Sequence, residues 1–236
     1  MNIRLYHPNS IVENTTGLLS KEHTHYIVNV MRLKRGSKVN FFNKNGEWNS
    51  EIIFLNKDRV EVKFLKKVKL PYSTSKIELA ICLIKKNPME IILQKATELG
   101  VSRIIPIISE RTEVKDLNYE RAKKIIIEAT EQSNQLYPPE ISEIIKLKKF
   151  IEQKEKTSQL LFADVNAKNK IKSKDLNTEK PIVILIGPEG DFSPNERELI
   201  VSKSNTISFS LSKNILRSDT AVISAISLVN FILKEH

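Results

Sequence analysis

The chain has a single cysteine, Cys82, among 236 residues, together with one tryptophan and four histidines. A lone cysteine excludes an internal disulfide framework and any zinc site built from several cysteines. It sits in IELAICLI, which reads as a buried strand, so Cys82 is expected to act as a small hydrophobe and not as a nucleophile. His23 and His25 alternate within a predicted helix and do not share a face as an i, i+4 zinc pair would, so no metal is expected. The sequence has no apolar run of the roughly 18 residues that a membrane helix needs. Its first residues, MNIRLYHPNS, lack the apolar stretch of a secretory signal. Neither a G-x-G-x-x-G nor a Walker A pattern occurs, which disfavours a phosphate-cradling nucleotide enzyme. There is no internal repeat. A cytoplasmic protein fits these absences.

What is present in excess is positive charge. The formal net charge is +10, and residues 1–70 hold 13 Lys and Arg against 6 Asp and Glu, while the rest of the chain holds 25 against 22. Cations displace counterions from phosphates, so this asymmetry points to a polyanion-binding N-terminal part, against the plainer reading of a solvated lysine-rich surface. Arg4, Arg32, Lys34 and Arg35 are the candidates there.

The texture of the chain changes near residue 70. Before it, SKVNFFNK, EWNSEIIFLN and DRVEVKFLKKV carry β-branched and aromatic residues with partial alternation, and Asn45-Gly46 signals a hairpin turn. A helix is expected in SKEHTHYIVNVMR with Ser20 as N-cap and with Tyr26, Met31 and Leu33 in the core. Close-spaced short strands suggest a small β-barrel over residues 1–70. The segment KLPYSTSK reads as a boundary. From residue 76 to 236 strands and helices alternate, which predicts an α/β domain with a mainly parallel sheet. NPMEIILQKATELG is a helix with Asn87 as expected cap and Pro88 in first position, presenting Met89, Ile92, Leu93, Ala96 and Leu99 on one face. SRIIPIIS is a strand whose Pro106 marks an edge or a bulge. NYERAKKIIIEATEQSNQL is a helix beginning near Asn118. PIVILIG is apolar enough to be covered on both faces. SPNERELIVSK carries the pattern of a capping box, Ser193 with Glu196, and Pro194 at the first helical position. SDTAVISAISLVNFILKEH closes the chain as a long helix.

In open parallel sheets, ligands bind beyond the carboxyl ends of strands. Three such exits stand out: LLFADVNA at Asp164, LIGPEGDFS, and FSLSKNILRSDTA. In Gly187-Pro188-Glu189-Gly190 the glycines allow close approach of backbone to a ligand, the proline stiffens the loop, and the helix that follows adds a positive end. A simple type I turn is the plainer reading of the same four residues. In LSKNILRSDTA, Ile215 and Leu216 interrupt a polar connection. Arg217 follows at a helix N-terminus, where the dipole disfavours a cation, and Ser218 or Asp219 is the expected cap.

Taken together, HYIVNVMRLKRGSKVNFFN, IILQKATELGVSRIIPIISERTEVK, EATEQSNQLYPPEI, LIGPEGDFS and LSKNILRSDTAVISAI resemble the ribosomal RNA small subunit methyltransferase E family of the SPOUT superfamily. The resemblance spans nearly the whole chain. It implies an N-terminal PUA-like barrel that holds RNA and a C-terminal α/β domain with a deep trefoil knot. It implies S-adenosylmethionine bent within the knot, gripped at Ala163, Asp164, Gly187, Pro188, Glu189, Gly190, Leu211, Ile215, Leu216 and Thr220. It implies methyl transfer to N3 of a uridine in 16S rRNA, with Arg217 and Glu189 as catalytic candidates and Arg111 joining the cationic candidates for RNA. A homodimer is implied too, with Ala221, Val222, Ala225, Ile226 and Val229 of the last helix as the expected dimer element. The chain departs from the family pattern at Ser212-Lys213, where Gly-Pro is usual, at Asp191, where Gly is usual, and at Gln135, near which Arg is usual. Two other readings stay open: a SPOUT methyltransferase acting on another RNA, and a non-catalytic RNA-binding protein.

Overall fold

The computed structural model describes residues 3–234. It divides into two compact units, the first ending at Ser73 and including Thr130–Tyr137, the second made of Thr74–Ala129 and the chain from Pro138 onward.

The first unit holds one five-stranded sheet. Its strands are β1 (Arg4–Tyr6), β2 (Thr16–Leu18), β3 (Lys38–Asn43), β4 (Gly46–Leu55) and β5 (Val60–Lys69), in the order β1-β3-β4-β5-β2. β1 runs parallel to β3 and the other pairs are antiparallel. Leu5, Ile27, Phe41, Trp48, Ile52, Val60 and Val62 form its core. The β3–β4 turn is centred one residue earlier than Asn45-Gly46: Asn43 pairs with Gly46, so Lys44 and Asn45 make the turn. Gly46 has φ +135°, and a Cβ there would meet the Lys69 carbonyl at 2.5 Å.

The expected N-terminal helix is a single α turn, α1 (Lys21–His25), continued as a π-helical turn over Tyr26–Val30. Ser20 caps it, its hydroxyl accepting from the His23 amide at 3.1 Å. The wider π turn rotates the inward face. Ile27 is fully buried, while Tyr26 and Met31, expected in the core, are exposed. Arg32 then ends the helical run with a left-handed φ of 51°; π turns of this kind recur at functional sites.

The second unit is α/β, as the alternation of the sequence predicts. Its strands are β6 (Ile77–Cys82), β7 (Arg103–Ile108), β8 (Glu140–Ile141), β9 (Ile145–Lys146), β10 (Gln159–Ala163), β11 (Ile182–Ile186) and β12 (Thr206–Phe209). They form a parallel sheet in the order β12-β10-β11-β6-β7-β8, with β9 also on β7. The helices are α2 (Lys86–Glu98), α3 (Tyr119–Gln132), α4 (Leu147–Lys154), α5 (Pro194–Val201) and α6 (Ser218–Lys234). Every residue of β11 is buried, so this central strand is covered on both faces. β7 pairs with β8 at Arg103 and Ile104 and with β9 at Ile107 and Ile108. Pro106 falls in the break between them, where a missing N–H costs no ladder bond.

Three helix expectations are revised. α2 begins at Lys86 with Lys85 in the cap position, so Asn87 is not the cap, and Pro88 sits inside the first turn, whose N–H groups have no intrahelical partner in any case. α6 takes no cap from Ser218, whose hydroxyl is directed elsewhere, and the Arg217 carbonyl accepts its first bond, from Ala221. Val222, Ala225, Ile226 and Val229 are completely buried in the unit's own core, packed with Met89, Ile92, Leu93 and Ala96 of α2. They are therefore core residues and not a dimer face. The outward residues of α6 include Ile223 and Phe231, the latter 64% exposed. Among the described residues, no helix is long and apolar enough to cross a membrane.

Candidate active site

The strand order brings the exits of β10, β11 and β12 together. Residues 163–165, 186–191 and 210–219, with Ile84, Pro88 and Ala221, line one cavity of about 660 Å³ in the second unit. Of the residues expected to hold a cofactor, Ala163, Asp164, Gly187, Pro188, Glu189, Gly190, Leu211, Ile215 and Leu216 lie in its wall, as do the catalytic candidates Arg217 and Glu189. Thr220 is exposed and does not line the cavity. It lies one residue into the turn beyond Asp219, whose carboxylate accepts from its amide at 2.8 Å.

Each loop is fixed by contacts that leave main-chain groups open. The Asp191 amide donates to the Pro188 carbonyl at 3.0 Å, closing the Pro188–Asp191 turn. The Ser218 hydroxyl reaches the Gly187 carbonyl at 3.5 Å, tying the last loop to the middle one. The Ser212 hydroxyl accepts from the Asn214 amide at 3.0 Å and shapes the connection where Ser-Lys stands in place of Gly-Pro. Among the described residues, the amides of Gly187, Glu189, Gly190, Leu211, Ile215 and Leu216 find no hydrogen-bond partner within the chain. Such groups beside a cavity are available to a polar ligand. Ile215 is 91% exposed, which is no position for core packing.

The two glycines of this loop differ in what surrounds them within the protein. A Cβ on Gly187 would lie 3.1 Å from the Phe192 ring, a tight contact to which the ring would have to yield. A Cβ on Gly190 would meet only the Arg111 side chain at 3.8 Å, an ordinary contact. Asp191, where the family usually has glycine, has φ 57°, the left-handed conformation that glycine adopts without cost and Asp tolerates. Its Oδ1 also accepts from the Phe192 amide at 2.8 Å.

Asp164 is buried and already engaged. Its carboxylate receives Arg197 Nη2 at 2.7 Å and Nε at 3.1 Å, and the Asn166 amide at 2.9 Å. This pairing raises the affinity of the Arg197 guanidinium for its proton, through the hydrogen bond to Asp164 first. The Asp164 carboxylate is therefore taken up within the protein, while the residue lines the cavity. Cys82 is buried beneath the loop after β7, and desolvation pushes its thiol up to about 12, which keeps it protonated and inert.

The cationic candidates separate into distinct environments. Arg111 lies against the loop after β11, its Nη1 donating to the Gly190 carbonyl at 2.9 Å. Arg32, Lys34 and Arg35 are exposed on the turn that follows the π-helical segment of the first unit. Arg4 requires correction. It is paired with Glu47 at 2.9 Å, with side-chain exposures of only 10% and 5%. It also donates to the carbonyls of Glu131 and Gln135 and lies 4.4 Å from the Phe42 ring centre. With its donors directed inward, Arg4 braces the first unit and is not placed to steer phosphate. The bonds of Arg197 to Asp164, of Ser218 to the Gly187 carbonyl and of the Glu110 amide to Glu196 are not legible in the sequence, because each joins residues distant along the chain. Among the described residues, no cluster of three or more His, Cys, Asp or Glu side chains could hold a metal.

The chain matches the model of an RNA methyltransferase domain over residues 71–230 and that of an RNA methyltransferase PUA domain over residues 19–65. It is 36% identical to ribosomal RNA small subunit methyltransferase E of Rickettsia conorii, over 97% of this chain and 95% of the relative. A crystal structure of ribosomal RNA small subunit methyltransferase E from Neisseria gonorrhoeae bound to S-adenosyl methionine superposes with a TM-score of 0.89 at 27% identity, covering 98% of each chain. A methyltransferase from Legionella pneumophila with bound SAM superposes with a TM-score of 0.87 at 29% identity, again over 98% of each chain.

Proposed function

Because this chain belongs to the ribosomal RNA small subunit methyltransferase E family, we propose that it methylates N3 of a uridine in 16S rRNA with S-adenosylmethionine as methyl donor. The observation that carries this reading is the convergence of the exits of β10, β11 and β12 on one cavity bordered by unpartnered main-chain amides. Its volume of about 660 Å³ lies within the ordinary range for small-molecule sites. The walls suit a molecule with apolar and polar ends: Ile84, Pro88, Ile186 and Leu216 on one hand, backbone amides and Glu189, Asp191 and Asp219 on the other. The amides of Gly187, Glu189, Gly190, Leu211, Ile215 and Leu216 would hold the donor.

When bound, S-adenosylmethionine supplies a methyl group already activated by its sulfonium, so the protein's task is to align the acceptor and remove a proton. N3 of uridine carries that proton between two carbonyl groups, and its loss spreads negative charge onto their oxygens. The exposed guanidinium of Arg217, whose backbone is held at the start of α6 by its carbonyl's bond from the Ala221 amide, is the group we assign to that charge. Glu189, exposed at the rim, is the candidate to hold the base or accept the proton. Within a base pair N3 is blocked, so the target uridine must be unpaired or flipped out. Arg32, Lys34 and Arg35, with Arg111, would contact phosphates and set register.

The knotted topology belongs to the same reading, supported by the superposition on the Neisseria structure over 98% of both chains. So do a cytoplasmic location, where ribosomal RNA is found, and a homodimer, for which the exposed Ile223 and Phe231 of α6 offer apolar surface. The deciding experiment is mass mapping of 16S rRNA from cells with and without the protein, alongside calorimetric titration with S-adenosylmethionine. Loss of one 3-methyluridine together with measurable donor binding supports the proposal. Unchanged 16S rRNA overturns the assigned target, and absent donor binding favours a non-catalytic RNA-binding role.

A further inference from the structure

The first turn of α5 is linked to two strand exits besides the one that leads into it. Arg197 forms a forked ion pair with Asp164 after β10, at 2.7 Å from Nη2 and 3.1 Å from Nε. Its neighbour Glu196 accepts the Glu110 amide after β7 at 2.8 Å and closes the capping box through the Ser193 amide at 3.1 Å. The adjacent Arg111 returns a bond to the Gly190 carbonyl at 2.9 Å.

We infer that Arg197 is a positioning residue for the donor site: through Asp164 it sets the path of the loop after β10 against the loop between β11 and α5. Asp164 is the hinge of this arrangement. Its other oxygen accepts the Asn166 amide at 2.9 Å, so one carboxylate both folds its own loop and binds it to the next. The Asp164 side chain is 1% exposed, whereas that of Arg197 is 38% exposed. The acid is thus enclosed in the wall and the base holds it from outside the cavity. Arg197 itself does not line the cavity. A single carboxylate so enclosed, with its cation removed, has to recruit water or turn outward, and either response moves Ala163 and Val165 at the cavity wall. A forked guanidinium resists such a turn better than an ammonium, because it fixes direction as well as charge.

The inference rests on the proposed donor site, and its test separates the two. The donor is titrated calorimetrically into the wild type, Arg197→Gln, Arg197→Lys, Asp164→Asn and the double variant Arg197→Gln/Asp164→Asn, with thermal melting of each. If the wild type binds no S-adenosylmethionine, the reading of the cavity fails and this inference with it. Given wild-type binding, Arg197→Gln is expected to weaken the donor about tenfold, within the range for couplings carried through a second residue. Turnover at saturating donor should change far less. Arg197→Lys should recover part of the affinity, and adding Arg197→Gln to Asp164→Asn should cost little more than Asp164→Asn alone. Donor affinity unchanged in Arg197→Gln, or lost in strict proportion to melting temperature across the series, would overturn a positioning role. If Arg197→Gln does not fold, the Lys variant and the Asp164→Asn protein decide the matter by the same affinity comparison.

Discussion

Arg4 and Glu47 face each other at 2.9 Å with almost no exposure to water, and the same guanidinium reaches the carbonyls of Glu131 and Gln135. Glu47 also accepts from Asn40 Nδ2 at 2.7 Å, so removing Arg4 leaves an enclosed carboxylate with one neutral donor. Arg4→Ala is expected to destabilise the protein by about 3 kcal/mol, the usual scale for stripping a buried pair of one partner. A chemical denaturation curve checks this. RNA affinity corrected for the folded fraction should stay near wild type, and a specific loss of RNA binding at unchanged stability would restore the phosphate role that sequence suggests.

Asp191 occupies a left-handed conformation where the family usually has glycine. Asp191→Gly should therefore be close to neutral for melting, because relief of the backbone offsets loss of the bond to the Phe192 amide. Asp191→Val should cost about 1–2 kcal/mol, since a β-branched residue is strained at that φ. Equal melting temperatures for the Gly and Val variants would show that the turn is not held at this conformation.

His23 lies against Phe41 at 6.0 Å between ring centres, and burial first, then the charge of His7, lowers its pKa below the ordinary 6.5. The folded protein therefore binds this proton less readily than the unfolded chain does. Stability is fully retained above about pH 6.5 and falls as the pH drops through the range between the two pKa values. His23→Gln should flatten that part of a stability–pH curve measured by urea unfolding between pH 7.5 and about 5. An identical slope in the variant would assign the acid sensitivity to other groups.

Arg217 separates binding from chemistry. Its side chain is exposed, and truncation to alanine leaves the main-chain amides of the loop in place. Arg217→Ala should lower methyl transfer by at least about a hundredfold, the scale for losing one group that stabilises developing charge. Donor affinity by calorimetry should change less than about threefold, a small step on the logarithmic scale of binding. Near-normal transfer in the variant would remove Arg217 from the reaction.

Much of this architecture is legible in the sequence because it depends on local patterns. The uninterrupted apolar run of β11, the Ser193–Glu196 capping box and the apolar stripe of α2 each state their structure within a few residues. The convergence of the three exits was also accessible, since a parallel sheet fixes where strand ends lie. The errors arise where long-range packing decides. Arg4 reads as a surface cation because Glu47, Glu131 and Gln135 are remote in sequence. The resemblance implies a dimer face on the last helix, but a sequence does not say whether an apolar stripe is covered by a partner or, as with Val222, Ala225, Ile226 and Val229, by the unit's own core. The π turn over Tyr26–Val30 has no clear sequence signature, and it carries the residue beyond it, Met31, off the expected face. α4 has only Leu147, Phe150 and Ile151 at helical spacing within eight residues, a window too short for periodicity to announce a helix.

The inclusion of Thr130–Tyr137 in the first unit means that this unit is not a contiguous stretch of chain. Tyr72 and Tyr137 pack edge to face at 5.2 Å, the Tyr72 amide donating to one hydroxyl and the Leu136 amide to the other. During synthesis the N-terminal sheet must wait for residue 137 to leave the ribosome before these bonds close. A fragment cut after residue 73 would lack them at any time, and grafting either half onto a relative has to carry this short insert with it.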